Sequence, residues 1–102
     1  MKRLVLLAGL LASPLALAHA PFLECRALGA QQVRCLGGFT DGSAAAGVMI
    51  KVYAADGGLL FSAPLGADSS LVFERPQAHF HVLFDVGPGY RAEVDSRDIA
   101  GL

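Results

Sequence analysis

Basic clusters are missing from this chain. It carries eight Lys and Arg residues, and after Lys2-Arg3 no two are adjacent. That excludes a nucleic-acid footprint and a basic amphipathic helix seeking anionic lipid. Helical periodicity is missing too: after Pro21 no long window repeats its apolar residues every three to four positions. Long apolar runs are absent beyond Leu17, so no membrane span is expected in the processed form. The usual catalytic signatures are also absent. There is no G-x-S-x-G elbow, no H-E-x-x-H, no Walker loop and no G-x-G-x-x-G opening a helix. A non-enzymatic protein is expected. Cysteine is scarce, with two in 102 residues, and so is histidine, with three.

What is present begins with an export signal. Lys2 and Arg3 precede an apolar stretch from Leu4 to Leu17, followed by small residues at Ala16, Ala18 and Ala20. This is the pattern of a secretory signal peptide. Cleavage after Ala18 leaves residues 19–102 as one small domain with His19 first; cleavage after Ala20 is the alternative. A free amine and an imidazole on one residue make a compact chelating pair. Losing Lys2 and Arg3 takes the formal charge from −1 to −3. The expected location is periplasmic or secreted.

Cys25 and Cys35 suit that oxidising environment. If Gly29-Ala30-Gln31 turns a hairpin, the two cysteines face each other across its strands. A structural disulfide is the expectation; the alternative, a redox pair, usually shows C-x-x-C spacing. A domain of this size buries only about 60–65% of its unfolded surface, so a covalent staple matters.

The remainder reads as short strands between turns: 22–28, 32–39, 47–54, 59–63, 71–74, 78–86 and 90–95. Asp56-Gly57-Gly58 and Gly87-Pro88-Gly89 mark tight turns. Seven strands at this spacing predict an all-β, antiparallel two-sheet sandwich of transthyretin-like or immunoglobulin-like kind. Ile50, Val52, Leu71, Phe73, Phe80, Val82 and Phe84, with Val33 and Leu36, are the expected inward set. The segment 96–102 carries no clear signal.

His79-Phe80-His81 is the strongest chemical constellation. On a strand, alternate residues share a face with Cβ atoms about 6.5–7 Å apart, close enough for two imidazoles to share one metal. Alternation places them opposite Phe80, Val82 and Phe84, hence toward solvent with Leu83 and Asp85. His19 is the candidate third ligand. Such a set suits Ni(II), Co(II), Cu(II) or Zn(II). The alternative is two ordinary exposed strand residues, because two ligands alone rarely hold a metal. Glu24 or Glu74 would reach the pair only from neighbouring strands. Tyr53 and Tyr90 occupy outward positions.

The stretch from Gly47 to Leu60, followed by Val82 to Val94, resembles small exported carboxypeptidase regulatory-like domains. It is most similar to the periplasmic accessory proteins of bacterial nickel and cobalt uptake. The resemblance rests on Val52-Tyr53-Ala54-Ala55-Asp56-Gly57 and on Asp85-Val86-Gly87-Pro88-Gly89-Tyr90-Arg91-Ala92-Glu93. It implies a transthyretin-like fold, an N-terminal metal-seeking role for His19, and a membrane transporter or outer-membrane receptor component as partner. Tyr90 and Pro21 stand where that family tends to place histidines, and His79 and His81 are the imidazoles that would compensate beside His19. The expected function is a non-catalytic metal-binding accessory protein for a divalent transition metal. Two alternatives stand beside it: a structural or interaction domain docking a membrane partner, and a small-ligand carrier using the inter-sheet space.

Overall fold

A computed structural model describes residues 20–102. The signal segment 1–18 and His19 lie outside the described residues. Strands β1 (Pro21–Leu28) and β2 (Gln32–Phe39) form the first hairpin, turned at Gly29 with φ of 71°. Its register sets Cys25 directly opposite Cys35, and the two form a disulfide. Four strands follow the long loop after β2: β3 (Met49–Ala54), β4 (Leu59–Pro64), β5 (Ser70–Glu74) and β6 (Phe80–Asp85). The last strand is β7 (Arg91–Asp95). One sheet has the order β1-β2-β5 and the other β4-β3-β6-β7. Every neighbouring pair is antiparallel. The expected two-sheet sandwich of seven strands is the fold found.

Turn chemistry explains two of the reversals. Asp56 Oδ1 accepts the Gly58 N–H at 2.9 Å, and Asp85 Oδ1 accepts the Gly87 N–H at 3.0 Å. In each, an aspartate closes a local ring with the backbone two residues on. Gly57 sits at φ of 92°, where a side chain would be strained.

Alternation then builds the core. Ile50, Val52, Val82 and Phe84 from one sheet meet Val33 and Cys35 from the other, all fully buried. Phe73 lies between Phe61 (5.3 Å between ring centroids) and Phe80 (6.3 Å), and Phe39 leans on Phe84 at 5.8 Å. These side chains fill the inter-sheet space. Gly37 permits the close approach: a Cβ there would stand 2.8 Å from Leu65 Cδ1. Ser69 ties the loops together. It is buried at φ of 65°, its Oγ accepts the Ala45 N–H at 2.9 Å, and its carbonyl accepts the Gly37 N–H at 3.0 Å.

The structure corrects several expectations. The histidine-bearing strand begins at Phe80, so His79 precedes it. Leu36 is not an inward core residue; its place is taken by Cys35. Leu83 faces away from the core cluster yet is buried, only 5% exposed. It lies in the centre of its sheet, with Lys51 and Glu93 directly beside it on β3 and β7. The tail is ordered: Ser96–Asp98 makes a 3₁₀ turn, Ile99 is buried, and the Ala27 N–H donates to the Ala100 carbonyl at 2.8 Å. The tail therefore meets the β1 edge at one point, Arg26 beside Ala100, while β4, β5 and β7 each keep one side without a strand neighbour.

Candidate metal centre

The outer face of β6 positions the candidate ligands. Phe80 and Val82 point into the core, so His81 between them points out, half-buried. Its cross-strand neighbours are Tyr53 on β3 and Asp95 on β7. The Tyr53 ring stacks on the His81 imidazole with centroids 5.2 Å apart and planes 17° apart. That contact limits the orientations the imidazole can take.

The register also fixes how near Asp95 comes. The Val86 N–H donates to the Tyr90 carbonyl at 2.9 Å, so the even-numbered residues of β6 hydrogen-bond to β7. His81 and Asp95 are then a non-hydrogen-bonded pair, the class with side chains closest together, at about 4.5–5.5 Å between Cβ atoms.

His79 is exposed and held from the other side. Its Nδ1 lies 3.5 Å from the Oγ of Ser96, a buried serine that also accepts the Phe80 N–H at 3.2 Å. In the tautomer that carries its proton on Nδ1 toward Ser96, Nε2 is the nitrogen left for a metal.

Asp95 is strongly engaged. Arg97 donates to it through Nε at 3.0 Å, Nη2 at 3.1 Å and its backbone N–H at 2.8 Å. These bonds from Arg97, aided by its charge and by that of the neighbouring His79, hold the carboxyl down to about 2. The same pairing raises the Arg97 guanidinium above its ordinary value.

His79, His81, Asp95 and Arg97, with Ala55 and Phe80, line one shallow depression of about 230 Å³. Both histidine residues therefore border one depression. The third expected ligand, His19, is outside the described residues. Among the described residues no group of three or more His, Cys, Asp and Glu side chains could hold a metal. Glu24 and Glu74 belong to β1 and β5 in the opposite sheet, so neither adjoins the pair. Asp85 faces Arg91 at the far end of β6. Cys25 and Cys35 offer no thiolate, since they are joined. Tyr90 is exposed in the β6–β7 turn.

Sequence reasoning missed Asp95, Ser96 and Arg97: it placed Asp95 at the end of the last strand and found no clear signal in 96–102. The available signal was the turn Gly87-Pro88-Gly89. Counting outward from it along both strands brings 95 opposite 81.

A second feature lies on the open side of the sandwich. A groove of about 610 Å³ runs between β4 and β5, lined by Leu60, Phe61, Phe73 and Pro76 among others. Leu59, Leu60 and Val72 are exposed around it.

No family model, curated protein or solved structure matches the chain. Among the described residues no helix is long and apolar enough to cross a membrane.

Proposed function

We propose that this is an exported accessory protein that captures a divalent transition metal as cargo and passes it to a membrane-bound uptake component. The observation that carries the reading is that His79 and His81 border one depression. The export pattern of residues 1–18, the disulfide and the resemblance to nickel and cobalt accessory domains support it. His79 and His81 are the paired ligands, and His19, first after cleavage at Ala18, adds an imidazole and an amine. Three imidazoles and an amine suit Ni(II), Co(II), Cu(II) or Zn(II). A ligating imidazole must be neutral, so acidification weakens binding by proton competition.

The test is calorimetric titration of the mature protein with each of the four ions. Saturable binding that is lost in the His79→Ala/His81→Ala double variant is expected. An isotherm unchanged by that substitution removes the proposal.

A second reading rests on the groove between β4 and β5, where Leu60, Phe61, Phe73 and Pro76 meet Glu74, Arg75 and Gln77. There the chain acts as an interaction domain, using a free sheet edge to receive a partner strand. Co-purification of a membrane component that is insensitive to chelator and to both histidine changes favours it.

A further inference from the structure

We propose that two copies of this chain pair edge to edge through β4. This rests on the second reading above and deepens it by naming what occupies the free edge. Among the described residues β4, Leu59-Leu60-Phe61-Ser62-Ala63-Pro64, is the one strand without a charged side chain. It is also an edge strand. Charge is a common guard of such edges, and β7, at the other end of the same sheet, has Arg91, Glu93 and Asp95. On β4, by contrast, Leu59 and Leu60 are 55% and 49% exposed. Charge also favours a second copy as the occupant. With Lys2 and Arg3 removed the formal charge is −3, so two copies repel over most of their surfaces. At β4 neither copy brings a charge to the contact, and an uncharged strand is matched by its own copy.

The register of the β3–β4 pair fixes where the copies meet. The Leu65 N–H donates to the Val48 carbonyl at 2.9 Å, so Ala63 and Phe61 are the β4 residues bonded to β3. Ser62 lies between them, and its N–H and carbonyl face away from β3. A two-fold axis at Ser62 lets each Ser62 give its N–H to the other's carbonyl. The two exposed Ser62 side chains then stand side by side on the outer face. On the inner face Phe61 falls opposite Ala63 of the other copy, a large side chain against a small one. Pro64 has no N–H to give, and a bulge interrupts the other end of β4, so the matched stretch is short. A six-residue edge spans about 20 Å, and this contact falls below the ~800 Å² per partner of a stable complex. The dimer is therefore weak and reversible. It is also closed: the joined sheet has eight strands and ends at the charged β7 of each copy.

The experiment is sedimentation equilibrium of the mature protein from about 10 μM to about 1 mM. The variants are Ser62→Lys, Ser62→Glu, an equimolar mixture of the two, and Val72→Lys on the β5 edge. The average mass of the natural chain is expected to rise with concentration toward twice that of the monomer. Each Ser62 variant alone sets like charges across the axis, which should weaken association more than about tenfold. The mixture should regain it, because opposite charges then meet. Val72→Lys should associate as the natural chain does. Recovery in the mixture separates lost pairing from lost folding, and circular dichroism of each variant checks the fold. A natural chain that stays monomeric throughout overturns the proposal. So does a loss that the mixture fails to recover, or an equal loss in Val72→Lys, which moves the contact to β5. The second reading is judged separately. If a membrane component co-purifies with a monomeric natural chain and is lost in Ser62→Lys, that reading stands and self-pairing fails; if its capture is unaffected, the β4 edge has no part in either.

Discussion

Replacing both cysteines by alanine is the sharpest perturbation of this fold. The bridge joins residues separated by 10 in sequence. Closing a loop of that length removes unfolded-state entropy worth about 3 kcal/mol at room temperature. Cys35 is fully buried in the core cluster, so its truncation adds a packing loss of about 1 kcal/mol. A domain of this size has a total stability of about 4–12 kcal/mol. The Cys25→Ala/Cys35→Ala variant is therefore expected to lose a third or more of it. The midpoint of thermal unfolding should fall by about 12 °C or more. Guanidinium titration of both proteins, monitored by circular dichroism, gives the difference. Reduction of the natural chain separates the parts, since it opens the crosslink and leaves both sulfurs in place. A loss below about 1 kcal/mol in the double variant would refute the reasoning. It would mean that the β1–β2 hairpin already holds its ends together in the unfolded ensemble.

Three further expectations follow from particular residues. Phe84→Ala removes a fully buried ring packed on Phe39 and should cost about 3–5 kcal/mol by denaturant unfolding. Gly37→Ala pushes a methyl to 2.8 Å from Leu65 Cδ1; it should destabilise measurably, and pairing it with Leu65→Ala should recover part of the loss. The third concerns acid. The Asp95 carboxyl is held at about 2 against an ordinary 3.8, and the Ser70 hydroxyl and backbone N–H hold Asp68 low as well. A carboxyl with a depressed folded value stabilises above its unfolded value and loses that contribution as pH falls toward its folded one. The unfolding midpoint should thus drop between about pH 4 and pH 2, and Asp95→Asn should flatten the drop in that window. An equally steep drop in the variant would refute the assignment.

Much of the architecture was legible because strand alternation is a local code. Phe80, Val82 and Phe84 announce an inward face without reference to any partner, and Asp56-Gly57 and Gly87-Pro88-Gly89 announce reversals by backbone chemistry. The position of Cys25 opposite Cys35 needed only a short loop between them. The limits of the strand around His79 were less legible, because Ala78 and His79 continue the alternating pattern. The strand begins after them, where the Phe80 N–H meets the Ser96 hydroxyl.

The amino-acid order alone determined an all-β sandwich, its hairpins, its staple and the outward projection of His81, since each depends on neighbours within a turn or two. Only the assembled tertiary structure decided that Tyr53 and Asp95 flank that imidazole, that Leu83 is covered on the outer face, and that Ala100 in the tail bridges to the β1 edge. Those outcomes depend on which strands become neighbours. That choice is made by burial summed over the whole core, and no local stretch of residues encodes it.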